Sequence, residues 1–241
     1  MSSPLRVPHL CRSGRLLLDE AASRYVARVH RLEAGARLEL FDPEAALRCA
    51  AVVSGIERRG VWVDAEPPQP VAPSALRRVT LLQSLGKGDK LDEVVRDATA
   101  LGVSAMVTVA SERSVVRLDE EGGERRRARW RRIAVETARQ CGRGELPVLE
   151  GPLDFGSALR RSEGLTLMLA PEAPCSLREA LERAERTQPL GLLIGPEGGW
   201  SERELAAASA AGVQGVRLGQ WVLRTELAAT AVLAAVLALS E

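Results

Sequence analysis

The sequence predicts an α/β protein in which a parallel-sheet domain follows a small, mostly β domain. Three observations lead there. From residue 79 onward, short apolar runs alternate with amphipathic helical patterns, the order of βα units that build a parallel sheet with helices on both faces. Upstream, Arg37-Leu38-Glu39-Leu40-Phe41 and Val61-Trp62-Val63-Asp64 alternate polar and apolar residues as half-buried strands do. Between them, Glu66 to Pro73 carries four prolines, which resist helix and central strand alike and read as a stiff linker. The expected domains are residues 1–73 and 74–241.

In chain order, Ala21 to Leu32 reads as one helix of the first domain. In the second, Val79 to Leu85 reads as a strand and Gly86-Lys87-Gly88-Asp89-Lys90 as an ordinary turn. Lys90 to Leu101 has the period of a helix, with Leu91, Val94, Val95, Ala98 and Leu101 on one face. A strand over Val103 to Val109 and a basic helix from about Glu124 to Cys141 follow. Leu165 to Leu169 is a further strand, and Ser176 with Glu179 has the spacing of a capping box before a short helix. The strand Gly191 to Ile194 then meets a glycine-rich turn, a helix from Glu202, a strand over Val213 to Leu218 and a last helix from about Thr225.

Composition narrows the function classes. Apolar residues make up 46% of the chain and aromatics only 3%, so the core is built from Leu, Val and Ala, which suits helices on a sheet. The formal charge of +1 advertises no polyanionic partner by itself. Lys87 and Lys90 are the sole lysines among 33 basic residues; a GC-rich coding sequence accounts for the average Arg, so only local clusters carry meaning. Cys11, Cys49, Cys141 and Cys175 form no Cys-x-x-Cys pair, and His9 and His30 complete no metal-ligand spacing, so neither disulfide nor metal is expected. No export signal opens the chain, and the apolar run Leu227 to Leu239 is too short for a bilayer. A cytoplasmic protein without a membrane partner is the expectation.

Three constellations carry chemistry. Gly195-Pro196-Glu197-Gly198-Gly199-Trp200 joins an apolar strand to Ser201 and Glu204, a second capping-box spacing. Its glycines permit positive φ and close approach, and a turn at the carboxyl end of a strand is where open α/β sheets bind ligands. It matches neither the dinucleotide pattern nor a P-loop, and Glu197 opposes a phosphate, so a neutral or cationic ligand is expected. The hexapeptide alone fits a ligand loop and a tight βα turn equally. Leu218 to Glu226 is a second strand-to-helix loop, in which Thr225 and Glu226 suit a helix start while Arg224, a cation before a helix N-terminus, is electrostatically misplaced. The third is Arg125-Arg126-Arg127-Ala128-Arg129-Trp130-Arg131-Arg132, six arginines with Glu124 as the near counter-charge. On a helix Arg125, Arg129 and Arg132 share a face, which favours phosphate contacts over a merely solvated surface.

Taken together, these motifs resemble the RsmE-type 16S ribosomal RNA uridine-N3 methyltransferases of the SPOUT superfamily over nearly the whole chain. The resemblance rests on Leu193 to Ser201, on Leu218-Gly219 with Val222 to Glu226, on Leu101-Gly102-Val103, on Ser111 to Val116, and on Arg129-Trp130 with Gln140 to Arg143. The front half resembles the family's PUA-like RNA-binding barrel through Arg6-Val7-Pro8 and Val29 to Gly35. Departures are Arg96-Asp97 and Ala100 where the family commonly has Gln-Lys and Glu, Leu227 where Thr is usual, and Asp42-Pro43 in place of Asp-Gly.

The resemblance implies a trefoil-knotted methyltransferase domain, a homodimer and S-adenosylmethionine as cofactor. The implied cofactor site comprises Leu169, Ala170, Pro171, Ile194, Gly195, Pro196, Glu197, Gly198, Gly199, Leu218, Gly219, Val222, Leu223, Arg224, Thr225 and Ala228. Arg224 and Arg113 would stabilise charge developing on a uracil, with Glu226 as base or orienting group. Arg6, Arg31, Arg125, Arg129, Arg132 and Arg143 would contact RNA of the small ribosomal subunit. Two rivals stay open: a SPOUT enzyme acting on another base or a ribose 2′-hydroxyl, and a non-catalytic RNA-binding or ribosome-assembly protein, which Ala100 and Leu227 would favour.

Overall fold

The computed structural model describes residues 4–72, 77–86, 88–114 and 120–240. Pro73 at the end of the linker, Lys87 of the expected turn, and Val115 and Val116 lie outside those residues. Two compact units emerge, Met1–Ser74 with Val135–Leu146, and Ala75–Ala134 with Pro147–Glu241.

The first unit contains β1 (Leu5–Pro8), β2 (Gly14–Leu17), α1 (Glu20–Arg24), β3 (Arg37–Asp42), β4 (Leu47–Glu57), β5 (Gly60–Ala65) and β6 (Gln69–Pro70). Their sheet runs β1-β3-β4-β5-β2 with β6 on β4; β1 and β3 are parallel and the other pairs antiparallel. Its inward residues include the fully buried Val7, Leu40, Val61 and Val63. The single helix expected over Ala21 to Leu32 is instead α1 followed by a π-helical turn, Tyr25–Val29. Asp19 Oδ1 caps α1 by accepting from Ala22 N–H at 2.8 Å, and the His30 N–H to Tyr25 C=O bond of 3.0 Å closes the wider turn. Arg31 then takes φ 52°, a left-handed conformation that stops the helix. The longest strand, β4, turns Cys49, Ala51 and Val53 inward.

A boundary at residue 73 misses one feature: the end of the basic helix belongs with the first unit. Arg6 supplies the reason. Its Nη1 donates to Ala138 C=O at 2.8 Å and its Nη2 to Arg143 C=O at 3.0 Å, serving carbonyls at the end of the helix and just beyond it, where backbone N–H partners run out. Its Nε donates to Glu39 at 2.8 Å, and the guanidinium lies 4.2 Å from the centre of the Phe41 ring.

The second unit contains β7 (Val79–Ser84), α2 (Lys90–Ala100), β8 (Ala105–Ala110), α3 (Glu120–Cys141), β9 (Val148–Asp154), α4 (Phe155–Leu159), β10 (Leu165–Leu169), α5 (Leu177–Arg183), β11 (Leu190–Ile194), α6 (Glu202–Ala210), β12 (Gln214–Val216) and α7 (Thr225–Ser240); the end of α3 joins the first unit. All its strand pairs are parallel, in the order β12-β10-β11-β7-β8-β9. The mixed α/β architecture with a parallel sheet is the expected one. Strand β11 is buried at every residue, as a strand with neighbours on both sides and helices above requires. Both capping boxes form, Ser176 with Glu179 and Ser201 with Glu204. Helix α2 buries Leu91, Val94, Val95 and Ala98 and packs against α7. Among the described residues, no helix is long and apolar enough to cross a membrane.

Replacing Arg6 by Met removes a nearly buried charge that serves three acceptors and leaves those acceptors unpaired. Such losses cost about 3 kcal/mol or more, so chemical denaturation is expected to show a clearly lowered midpoint for the first unit; an unchanged midpoint contradicts this role.

Candidate functional site

A cavity of about 520 Å³ opens at the carboxyl ends of β10, β11 and β12. These three strands are neighbours in the sheet, and a single helix, α5 or α6, separates each from the next in sequence, so their following loops converge on one crevice. Leu169, Ala170 and Pro171 form one wall; Ile194, Gly195, Pro196, Glu197 and Gly199 form the second; Leu218, Val222, Leu223, Arg224, Thr225 and Ala228 form the third. Gly198 and Gly219 belong to the same turns without lining the cavity. Trp200, Leu205 and Trp221 also line it and were not among the expected residues. Leu205 continues the helical period of α6 and reads as core from sequence, yet it is half exposed at the cavity.

Local packing explains the turns. A Cβ on Gly195 would stand 3.0 Å from Trp200 Nε1 and 3.1 Å from Trp200 Cε2, so any larger residue there would press the indole outward by a few tenths of an ångström. Trp200 is held from its other side by Phe155, edge to face at 5.2 Å between centroids. Gly199 takes φ 69°, and its N–H donates to Pro196 C=O at 2.9 Å. Glu204 is buried and fully engaged: one carboxylate oxygen accepts from Ser201 N–H and the other from Glu112 N–H, both at 2.9 Å. That bond fixes the segment carrying Arg113, whose Nη1 donates to Gly198 C=O at 3.1 Å.

Thr225 does not cap α7 as its sequence position suggests. Its hydroxyl donates to Gly195 C=O at 3.2 Å, tying the third wall to the second, while Arg224 C=O accepts the first helical bond from Ala228 N–H. Arg224 itself is exposed at the cavity, and no described residue pairs with its guanidinium.

Charges at the rim differ from the sequence expectation. Glu197 is not an uncompensated anion: Lys90 Nζ donates to its Oε1 at 2.9 Å and also lies 3.4 Å from Glu226 Oε2. Hydrogen bonding to Glu197 raises the Lys90 pKa above the ordinary lysine value. Glu226 faces this ammonium and does not line the cavity. Lys90, read from sequence as part of a plain turn, is thus the residue missed; its sole signal was the rarity of lysine in an arginine-rich chain.

The arginines expected to contact RNA divide into two groups. Arg6 is committed inside the first unit, and Arg143 is largely buried, which lowers its pKa. Arg129 pairs with Asp92 and, at 3.4 Å, with Asp89, so α2 supplies counter-charges that the local sequence did not reveal. Asp92 also accepts from the buried Trp130 Nε1 at 3.0 Å. Arg31, Arg125 and Arg132 remain exposed, Arg125 pairing with Glu121 one turn away. Ala100 and Leu227, the departures from the family pattern, are both exposed and line no part of the cavity.

Comparison with known proteins places this architecture. A family model described as an RNA methyltransferase domain matches residues 72–237. The ribosomal RNA small subunit methyltransferase E of Mycobacterium tuberculosis is 32% identical over 238 residues, 91% of this chain and 85% of its own length. The Synechocystis protein of the same name is 35% identical over 167 residues, 68% of this chain; the match spans 54% of that relative, about half its length. A solved ribosomal RNA small subunit methyltransferase E from Neisseria gonorrhoeae, bound to S-adenosyl methionine, superposes with a TM-score of 0.82 at 28% identity, covering 97% of this chain and 96% of that one. The chain therefore belongs to the RNA methyltransferase family that includes the ribosomal RNA small subunit methyltransferases E.

Proposed function

We propose that this protein uses S-adenosylmethionine to methylate N3 of a uridine in 16S ribosomal RNA of the small subunit. The observation that carries this reading is the cavity at three adjacent strand ends, walled by all the residues that the family resemblance names except Gly198 and Gly219, with Trp200, Leu205 and Trp221 in addition. Its volume of about 520 Å³ lies within the range of about 300–1,000 Å³ typical of small-molecule sites. Its residues fit the cofactor: apolar side chains at Leu169, Pro171, Leu218 and Leu223 suit the faces of an adenine, and the turn backbones offer polar groups for its edges. Bound there, S-adenosylmethionine supplies an electrophilic methyl group on a sulfonium.

The protein's own residues do the rest. Uracil N3 is a poor nucleophile until its proton leaves, so the site must favour the anionic base. Arg224, exposed at the cavity, and Arg113, held beside the glycine turn, would stabilise charge on the uracil oxygens by preorganised electrostatics. Glu226 is held by Lys90 at the start of α7, and the N3 proton passes to water at the open cavity. The remaining contribution is alignment of a flipped or single-stranded uridine.

The return of the chain from edge strand β12 to α7, packed on α2 and β11, supports a trefoil knot around the cavity loops. The six-stranded sheet of the first unit, with exposed Arg31, supports a PUA-like RNA-binding barrel, and exposed Arg125 and Arg132 are the RNA contacts read for the second unit. Exposed Trp221, Val222 and Leu227 form apolar surface suited to a second copy of the chain in a homodimer. A cytoplasmic location is proposed with it, in keeping with a ribosomal RNA substrate.

Incubation with labelled S-adenosylmethionine and unmodified small ribosomal subunits, followed by nucleoside mass spectrometry, is expected to yield 3-methyluridine; label in another base or a ribose contradicts the reading. Gly199→Val forces a left-handed φ on a branched residue at a cost of about 1–2 kcal/mol, while the nearest described atom to its Cβ is 4.0 Å away. The variant is therefore expected to fold but to bind S-adenosylmethionine at least about tenfold more weakly by calorimetry, a factor of ten being about 1.4 kcal/mol; normal affinity in a folded variant refutes the site. Converting Arg125 and Arg132 to Glu should lower the slope of log affinity for RNA against log salt by about 0.7–0.9 per lost phosphate contact, and an unchanged slope excludes them from the RNA surface.

A further inference from the structure

One ammonium serves two carboxylates at the rim of the cavity. Lys90 opens α2, Glu197 belongs to the turn after β11 and lines the cavity, and Glu226 stands in the first turn of α7. Lys90 Nζ reaches Glu197 Oε1 at 2.9 Å and Glu226 Oε2 at 3.4 Å. Glu226 Oε2 is buried and has no hydrogen-bond partner among the described residues, so the Lys90 charge is its compensation. The three groups together carry one net negative charge; without Lys90 they would carry two.

We propose that Lys90 sets the charge of the ligand cavity, cancelling one carboxylate so that the site does not strongly favour a cationic ligand over its neutral counterpart. The inference rests on the reading of the cavity as an S-adenosylmethionine site. S-adenosylmethionine and S-adenosylhomocysteine differ by a methyl group and one positive charge at sulfur, so their relative affinity reports the field that the protein sets there. A cavity of about 520 Å³ is about 10 Å across if taken as a sphere, so a ligand charge inside it lies within range of Glu197. Arg224 also lines the cavity, so loss of the Lys90 charge makes the surroundings of the ligand one unit more negative and biases the site toward the cation. Lys90 moderates that bias while tying the glycine turn to α7.

Titration calorimetry of the full chain with each ligand tests the proposal. Lys90→Met is expected to shift the affinity ratio toward S-adenosylmethionine by about threefold or more at low salt, the order expected for one added charge near a protein surface. Glu197→Gln is expected to shift the ratio the other way, and Lys90→Arg, which keeps the charge, to stay near the original ratio. Raising the salt concentration should shrink the shift in Lys90→Met. If Lys90→Met weakens both ligands by the same factor, or changes neither, Lys90 is a strut or a bystander and the proposal is overturned. If the unaltered protein binds neither ligand, the reading of the cavity fails as well, which is a separate and recognisable result.

Discussion

The central constraint is the burial of strand β11 between β10 and β7. Each of its residues is buried, and Leu190, Leu192, Leu193 and Ile194 are among the largest side chains fully withdrawn from water. Burying such a side chain contributes about 1.5–3 kcal/mol, so the strand cannot shift register without losing much of the fold's stability. Strands β7, β8 and β9 spread to one side of it and β10 and β12 to the other. The chain's direction of winding changes there, and the loops beyond β10, β11 and β12 are left to face one another across an open crevice.

That crevice would be floppy if the strands alone held it. The glycine turn is pinned by a hydroxyl from α7 through Thr225 and Gly195, and by the indole of Trp200 laid against Gly195. A second layer is ionic, with Lys90 joining Glu197 to Glu226, and a third, farther along the same helices, is the Thr230 hydroxyl donating to Asp97 at 2.9 Å. Helices α2 and α7, distant in sequence, therefore act as the clamp that holds the walls of the cavity at a fixed separation. Apolar side chains and turn backbones wall the cavity and Lys90 joins Glu197 to Glu226 beside it, a division suited to a cofactor with an apolar ring and a polar tail.

Much of this was legible in the residues. The βα alternation, both capping boxes and the inward face of α2 follow from periodicities of two and 3.6 and from side chains that satisfy helix-end N–H groups, all of which are local. The walls of the cavity were legible for a related reason, since each is a loop at the end of a recognisable strand. Long-range charge was not legible. Arg129 looked free because Asp89 and Asp92 lie at the start of another helix, Arg6 looked exposed because two of its acceptors are carbonyls more than a hundred residues away, and Lys90 looked ordinary because its partners come from a distant turn and a distant helix. Strand β4 escaped notice because its inward Cys49 and Ala51 are small and weakly apolar, and the π-helical turn at Tyr25 because the helical period persists through it.

The claim on which the account turns is that the crevice between the three strand ends holds the cofactor. A crystal structure of the protein grown with S-adenosylmethionine tests it directly. The account predicts the cofactor against Leu169 to Pro171, the Gly195 to Gly199 turn and the Leu218 to Thr225 loop, with Lys90 still between Glu197 and Glu226. Cofactor bound elsewhere on the chain, with this crevice filled only by solvent, would contradict it.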